Sequence, residues 1–415
     1  MGIDNYQQSL GVHMPVTIRQ FWDDFVFKSM SHMANERGGL FANGVIAYDT
    51  SPIFTQGDTR HRVPLLNDLD TVLGADDQRL VDGTDLTVKS IDGGNQYAPI
   101  VYRGDSFGQP LTEQVKTGLA AIRRYSPGIA LRNLNMMEKR LISVTNGAFG
   151  SGGPLASSHV YGDGTGLLKV DTPKWAKATV AGEAAGALNI LVVNSLMEAD
   201  LTSRGLLSYP QLVSASNPNA YATGDIPFLG GARIVVNDRL CTLVEHAFTA
   251  DNSTDVITTT AAHGFVEDDP VIFTGSDLPA GITAGTTYYV IATGLTTTAF
   301  KISATVGGSA LNFTDDGTGT MTVSGRQYYS YLLGQRAYYT GIQRSLNVTQ
   351  FEKHLDGGKK DVIYWTVFYA PSIDGISYTD TTVNPTDTNL ETGSNWAASK
   401  EAHEIKIIRL YNKLS

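Results

Sequence analysis

Gly104-Asp-Ser106-Phe-Gly108 is the stretch with the most chemical promise, because it matches the G-x-S-x-G turn that lifts a serine nucleophile between a strand and a helix. A strand-like run, Ala98-Pro-Ile-Val-Tyr, precedes it, but Gln109-Pro110 follow at once and no glycine run offers an oxyanion hole. The downstream histidines, His159, His246, His263, His354 and His403, have no acid in a recognisable context. Such a pattern arises easily by accident in a chain with 43 glycines, so a turn at the base of a hairpin is expected here rather than a hydrolase site. Gly162-Asp-Gly-Thr-Gly has the glycine density of a phosphate-binding loop without the Lys-Ser/Thr pair that reaches a phosphate and its magnesium, which leaves a flexible loop. Histidines are never spaced as His-x3-His, and a single cysteine, Cys241, cannot build a structural zinc site. Glu267-Asp268-Asp269 and Asp315-Asp316 could offer carboxylate oxygens to calcium, but their spacing fits no calcium loop and a solvated acidic rim is the simpler expectation. No catalytic, cofactor-binding or metal-binding residue is assigned, and no cofactor is expected.

The 415 residues suffice for two or three domains with a sizeable core. One cysteine excludes an intrachain disulfide, and the apolar neighbours of Cys241 (Leu240, Leu243, Val244) mark it as buried and inert. The N-terminus lacks the basic and apolar regions of a signal peptide, and no apolar run approaches the roughly 20 residues needed to cross a bilayer. A net charge of −10 argues against general nucleic-acid binding, which needs clustered Lys and Arg. Arg123-Arg124, Lys139-Arg140 and Lys359-Lys360 are small clusters that read as solvated or ion-pairing positions. Asn252, Asn312 and Asn347 begin glycosylation patterns that have no meaning without secretion.

The elements that would position these residues follow from periodicity. Ile18, Phe21, Trp22, Phe25, Val26, Met30 and Met33 recur at helical spacing between Pro15 and Arg37, after a first stretch that reads as an extended arm. From about Gly44 to Pro110 short strand-like pieces alternate with Asp/Gly punctuation, as in a long two-stranded excursion with little core of its own. An isolated hairpin is marginal in water, so this one is expected to lie on a neighbouring subunit. A helical pattern from Leu111 to Asn146 is interrupted at Pro127-Gly128, which predicts two segments or a kink, with Asn146-Gly147 closing it. A helix is expected around Ala184 to Ala199, and strands at Arg233–Asn237, Tyr328–Leu333, Val362–Tyr369 and Ile405–Tyr411. Without regular βαβ alternation the class is α+β.

Between two apolar runs, Ile234-Val-Val and Tyr328-Tyr-Ser-Tyr-Leu-Leu, lies a Thr- and Gly-rich segment from Ala247 to Val323 with eight acidic residues and one lysine, Lys301, a formal charge of −7. Its alternating strands, such as Tyr288/Val290 and Phe300/Ile302, predict a small barrel or sandwich carried on an exposed loop of a host domain.

Read in order, the host segments resemble the major capsid proteins of tailed bacteriophages, with the Hong Kong 97-type fold. The resemblance is carried by Leu86-Thr-Val-Lys-Ser-Ile91, Tyr97-Ala-Pro-Ile-Val-Tyr-Arg103 and Leu141-Ile-Ser-Val-Thr-Asn-Gly-Ala-Phe149. Further along it rests on Phe228–Arg239, Tyr329–Ala337, Tyr364–Tyr378 and the run from Asn395 to Arg409. The acidic segment is similar to a short β-rich unit of phage structural proteins through Thr259-Thr-Ala-Ala-His-Gly-Phe265, Gly281–Ile291 and Phe300-Lys-Ile. The resemblance implies an N-terminal arm and helix (1–43), an E-loop (44–110), a peripheral domain with a spine helix (111–173) and an axial domain in two parts (174–246 and 324–378). An inserted β domain (247–323) and a return to the peripheral domain (379–415) complete the map. It implies a non-enzymatic homo-oligomer of hexamers and pentamers in a virion shell assembled in the host cytoplasm, without membrane contact. Scaffolding, portal and decoration proteins are its implied partners, and packaged DNA is enclosed without sequence-specific binding. Many relatives have His-Pro where this chain has Ala370-Pro371, and no scaffolding segment is evident. Lys89 falls in the implied E-loop, where an exposed lysine is a simpler reading than a crosslink. The rival reading is a tail or adhesin-type protein that binds through the β segment.

Overall fold

The computed structural model describes residues 40, 45–49, 59–65, 94–110, 121–182, 188–208, 227–355 and 358–415. The expected arm and its helix to Arg37, the Leu86–Ile91 run and Lys89 lie outside the described residues. Two compact units divide the chain: Met1–Ser158 with Gln335–Lys406, and His159–Gly334 with Ile407–Ser415. Strands and helices are mixed in the α+β manner expected.

In chain order the first unit begins with β1 (Ile46–Asp49), β2 (Arg60–Leu65), β3 (Gly94–Pro99), β4 (Val101–Pro110) and α1 (Ala121–Phe149). The second unit follows with β5 (Val160–Tyr161), α2 (Thr172–Val180), β6 (Leu188–Val193), α3 (Ser195–Ser203), β7 (Phe228–Leu229) and β8 (Ala232–Val236). It continues through β9 (Leu243–Asp251), β10 (Val256–Thr259), β11 (Pro270–Asp277), β12 (Thr287–Ile291), β13 (Ala299–Ser303) and the long β14 (Thr318–Gly334). The chain then returns to the first unit as β15 (Tyr338–Leu355), β16 (Gly358–Ile373), β17 (Ile376–Tyr378), α4 (Asp387–Glu391) and β18 (Trp396–Ala398), and closes in the second with β19 (Ile407–Lys413).

In the first unit β15 and β16 form a long antiparallel pair, flanked by β1 on one side and β4 on the other. Helix α1 runs as one element through Pro127-Gly128, which corrects the two-segment expectation. Proline removes one backbone hydrogen bond from a helix interior, a local loss that does not stop a helix anchored elsewhere. Here the anchor is the C-terminal half, where Leu134, Met137, Leu141, Val144 and Ala148 are buried at three- and four-residue spacing. Gly147 lies inside the helix rather than closing it, because a Cβ there would fall on the Leu390 carbonyl oxygen and the Trp396 indole nitrogen. That close approach lets Trp396 Nε1 donate to the Leu390 carbonyl at 2.8 Å and brings Ser143 within 3.0 Å of Glu391.

In the second unit β6 is parallel to β8 and antiparallel to β14. This strand, followed by α3, corrects the helix expected around Ala184 to Ala199. Leu188–Val193 is buried at every position but Asn189, and a strand covered on both faces reads as an unbroken apolar run whose period cannot separate it from a helix. The helix starts only at Asn194, whose side chain accepts the Met197 amide at 2.7 Å.

Strands β9 to β14 pair in a ring, β11-β12-β13-β10-β9-β14 and back to β11, with every neighbour antiparallel. This closed six-stranded barrel encloses Phe248, Ile257, Val271, Phe273, Val290, Phe300, Ile302, Met321 and Val323. Alternation supplies that core: Val244, His246 and Phe248 are buried along β9 while Glu245 and Ala247 face out. Phe248 and Phe273 meet edge to face at 5.3 Å, as do Phe265 and Phe300 at 5.4 Å.

In an ordinary solvent-facing helix Gly→Ala stabilises by roughly 1 kcal/mol. Gly147→Ala is expected to do the reverse, lowering stability by about 1–3 kcal/mol through overpacking against Leu390 and Trp396. A shift of the urea midpoint to lower concentration checks this.

Candidate assembly surfaces

Ser106 lies in the middle of β4, opposite Tyr364 of β16, so the sequence Gly104–Gly108 is neither a nucleophile elbow nor the hairpin turn expected from its glycines. Gly104 is used for close approach instead, since a Cβ would press on the Trp365 carbonyl. Ser106 is exposed and its amide is held by the Asp105 carboxylate at 2.8 Å. The Gly162–Gly166 loop is built as an aspartate turn: Asp163 accepts the Thr165 amide at 3.0 Å and its hydroxyl at 2.6 Å, bonds that hold the Asp163 carboxyl below its ordinary range.

The acidic residues of the barrel are mostly occupied with its own loops. Asp315 accepts the amides of Ala280 and Gly317, Asp316 that of Asn252, and Asp255 that of Phe313. Asp268, at a positive φ of 66°, accepts the Gly307 amide. Asp269 departs furthest from a solvated rim: it is buried, accepts the Val266 amide at 2.9 Å and pairs with Lys413 of β19. No group of three or more potential metal ligands occurs among the described residues. Cys241 is buried, donates to the Val192 carbonyl, and its thiol pKa is pushed well up by burial. Lys139 and Arg140 pair with Asp387 at 3.4 and 2.9 Å, the ion-pairing role expected of them. The side chains of Arg123, Arg124, His354, Lys359 and Lys360 lie outside the described residues, and no helix among those described is long and apolar enough to cross a membrane.

What the first unit does assemble is a separate two-stranded sheet. Strands β2 and β3 form a two-stranded antiparallel sheet of their own, Arg60 opposite Pro99 and Leu65 opposite Gly94. One buried side chain fastens it: Gln96 donates to the Ile373 carbonyl at 2.6 Å and the Ser372 hydroxyl at 3.2 Å, and accepts the Gly375 amide at 2.9 Å. Beside it Tyr97 N–H donates to Ser377 Oγ, and the Arg60 guanidinium stacks over the Tyr97 ring while bonding the carbonyls of Tyr378 and Thr379. These bonds tie β2 and β3 to residues 372–379.

Large apolar side chains stand out from the second unit. Trp175 on α2 is 63 % exposed, between Lys174 and Lys177, while Ala176 beside it is buried in the sheet's core. Leu196 at the start of α3 and Val306 in the β13–β14 loop are also exposed.

No family model matches this chain, and no curated protein does. Solved structures do. The capsid of Ralstonia phage GP4 aligns at 9 % identity over 91 % of this chain and 92 % of that one, with a TM-score of 0.48. The head structure of Helicobacter pylori bacteriophage KHP40 aligns at 8 % identity over 91 % of each chain, with a TM-score of 0.47. The capsid of cyanophage P-SCSP1u aligns at 11 % identity over 91 % and 89 %, with a TM-score of 0.46. All three TM-scores lie below 0.5.

Neither Gln96 nor Trp175 stood out in the sequence. Trp175 carried a weak signal, a tryptophan between two lysines on a short helix; Gln96 carried none, because its three partners lie more than 270 residues away.

Gln96→Leu keeps the volume but strands the Ile373 carbonyl and the Gly375 amide, each worth about 1–3 kcal/mol when left buried and unpaired. Limited proteolysis is expected to cut faster between residues 60 and 99 in this variant than in the parent, and equal rates would show that the amide does not hold the β2–β3 sheet.

Proposed function

We propose that this chain is the major capsid protein of a tailed bacteriophage, a non-enzymatic subunit that self-assembles into an icosahedral shell enclosing the genome. The observation that carries the reading is the separate β2–β3 sheet, pinned at its root by Gln96 and outside the larger sheets. A two-stranded element gains its stability by lying on something else; its root lies on residues 372–379 of its own chain, and on this reading residues 66–93 between its strands lie on a neighbouring copy in the closed shell. The long helix α1 and the extended β15–β16 pair give the same unit elements suited to spanning a shell wall.

On this reading the arm and first helix occupy residues 1–43 and the E-loop 44–110, with a peripheral domain and spine helix at 111–173. The axial domain occupies 174–246 and 324–378, the inserted β domain 247–323, and a return to the peripheral domain 379–415. The return ends in β19, which is hydrogen-bonded to β14. The acidic barrel faces the outside of the shell, where its charge keeps it clear of the enclosed DNA. Hexamers and pentamers are the homo-oligomers, scaffolding, portal and decoration proteins the further partners, and the virion the site of action after assembly in the host cytoplasm. Many weak symmetric contacts by arm and excursion sum to a stable shell.

Electron microscopy of the purified chain tests this directly: shells or capsomer rings are the expected particles, and rods or trimers would favour a tail or adhesin protein instead. Deleting residues 2–14 is expected to leave the subunit's circular dichroism unchanged and to lower shell yield. Unchanged particle yield would remove the arm from assembly.

A further inference from the structure

The barrel joins the open sheet at a buried polar cluster. Gln327 of β14 donates through Nε2 to the carbonyls of His263 (2.8 Å) and Gly164 (3.1 Å), which fixes its amide orientation and leaves Oε1 as the acceptor. That oxygen takes the Tyr411 hydroxyl proton at 2.8 Å and lies 3.3 Å from His246 Nε2, which is itself 3.2 Å from the Tyr411 oxygen. With the hydroxyl proton committed, His246 presents Nε2–H to the pair. His263 is completely buried, and its Nδ1 accepts the Phe265 amide at 2.9 Å. A ring nitrogen that accepts from an amide carries no proton, so His263 is the Nε2–H tautomer. Its Nε2 sits near the carbonyls of Ala299 and Thr296 without completing a hydrogen bond.

We propose that the turn Ala261–Val266 is an acid-released latch: protonation of His263 at Nδ1 replaces its bond to the Phe265 amide with two opposed N–H groups, and frees the base of the barrel from Gln327. The imidazole stacks on Phe265 at 4.8 Å and meets Phe300 edge-on at 4.9 Å, so the site cannot admit a second orientation of the ring without repacking both aromatics. Of the titratable and charged groups around it, the Asp269 carboxylate alone favours a new cation, and burial outweighs it. His246 of β9 adds a like charge when protonated, and Asp269, before β11, is already committed to Lys413 of β19. Tyr411 of β19 stays un-ionised because burial raises its pKa, and Asp163 of the loop packed on Gly264 is engaged by Thr165. Burial lowers the pKa of both His263 and His246 below the ordinary histidine value. The sign follows: the neutral rings stabilise the latch fully above the unfolded value near about 6.5, and that stability is lost as pH falls through the lowered folded values.

The inference is independent of shell assembly and is tested on the intact chain. Amide hydrogen exchange is followed for peptides covering 261–266 and 287–291 between about pH 7.5 and about pH 5, corrected for intrinsic exchange. Protection of 261–266 is expected to fall at least about tenfold at the lower pH while β12 changes by less than about twofold. His263→Asn keeps an acceptor near the Nδ1 position and cannot titrate, so its protection should be independent of pH. Wild-type protection that stays level across the range overturns the latch, whether or not the variant folds. Equal loss in His263→Asn, or loss of the pH response in His246→Gln with its retention in His263→Asn, overturns the assignment to His263.

Discussion

Strand β14 is the constraint on which the second unit depends. Its first half, Thr318 to Ser324, pairs with β11 on one edge and β9 on the other, closing the barrel. Its second half, Gln327 to Gly334, pairs with β19 and β6 and belongs to the open sheet. A single strand thus fixes the register of two cores, those around Phe300 and around Leu332. A slip of one residue would turn both inside out. The change of partners falls where the β9 pairing is irregular, between Ser324 and Tyr328. Gly325 admits the Phe265 ring there, and Gln327 gathers the loops that the two sheets leave open.

The same device recurs in both units. Gln96 and Gln327 are buried primary amides, each donating twice to and accepting once from segments distant in sequence. Apolar packing alone tolerates many arrangements of a loop against a sheet, whereas a buried amide with two donors and an acceptor is satisfied in few. In the first unit this fixes the β2–β3 sheet; in the second it seats the barrel. The barrel's carboxylates work likewise, spending their charge on loop amides, so the −7 segment is acidic because its tight turns need acceptors as well as for solubility.

Much was legible where a period survives. The strands at Arg233, Tyr328, Val362 and Ile405, the apolar face of α1 and the alternating strands of the acidic segment each write their burial pattern locally. Two errors share one cause. Within the helix expected around Ala184 to Ala199, Leu188–Val193 carries no period because it is covered on both faces, and the turn expected at Gly104–Gly108 fails because glycine there serves a neighbouring carbonyl rather than a bend. In both cases the deciding partner, β14 and β8 for the first and Trp365 for the second, is far along the chain.

By itself the sequence determined the class of fold, the alternating strands of the acidic segment and an inert buried thiol. Composition and periodicity are summed over neighbouring residues, and these properties are such sums. Only the tertiary structure decided that the acidic strands close into a ring on β14, that Asp269 is buried against Lys413, and that His263 accepts an amide at the joint. Hydrogen-bond partners are chosen by distance in space, and the fold alone sets which donors and acceptors are left facing one another when water is removed.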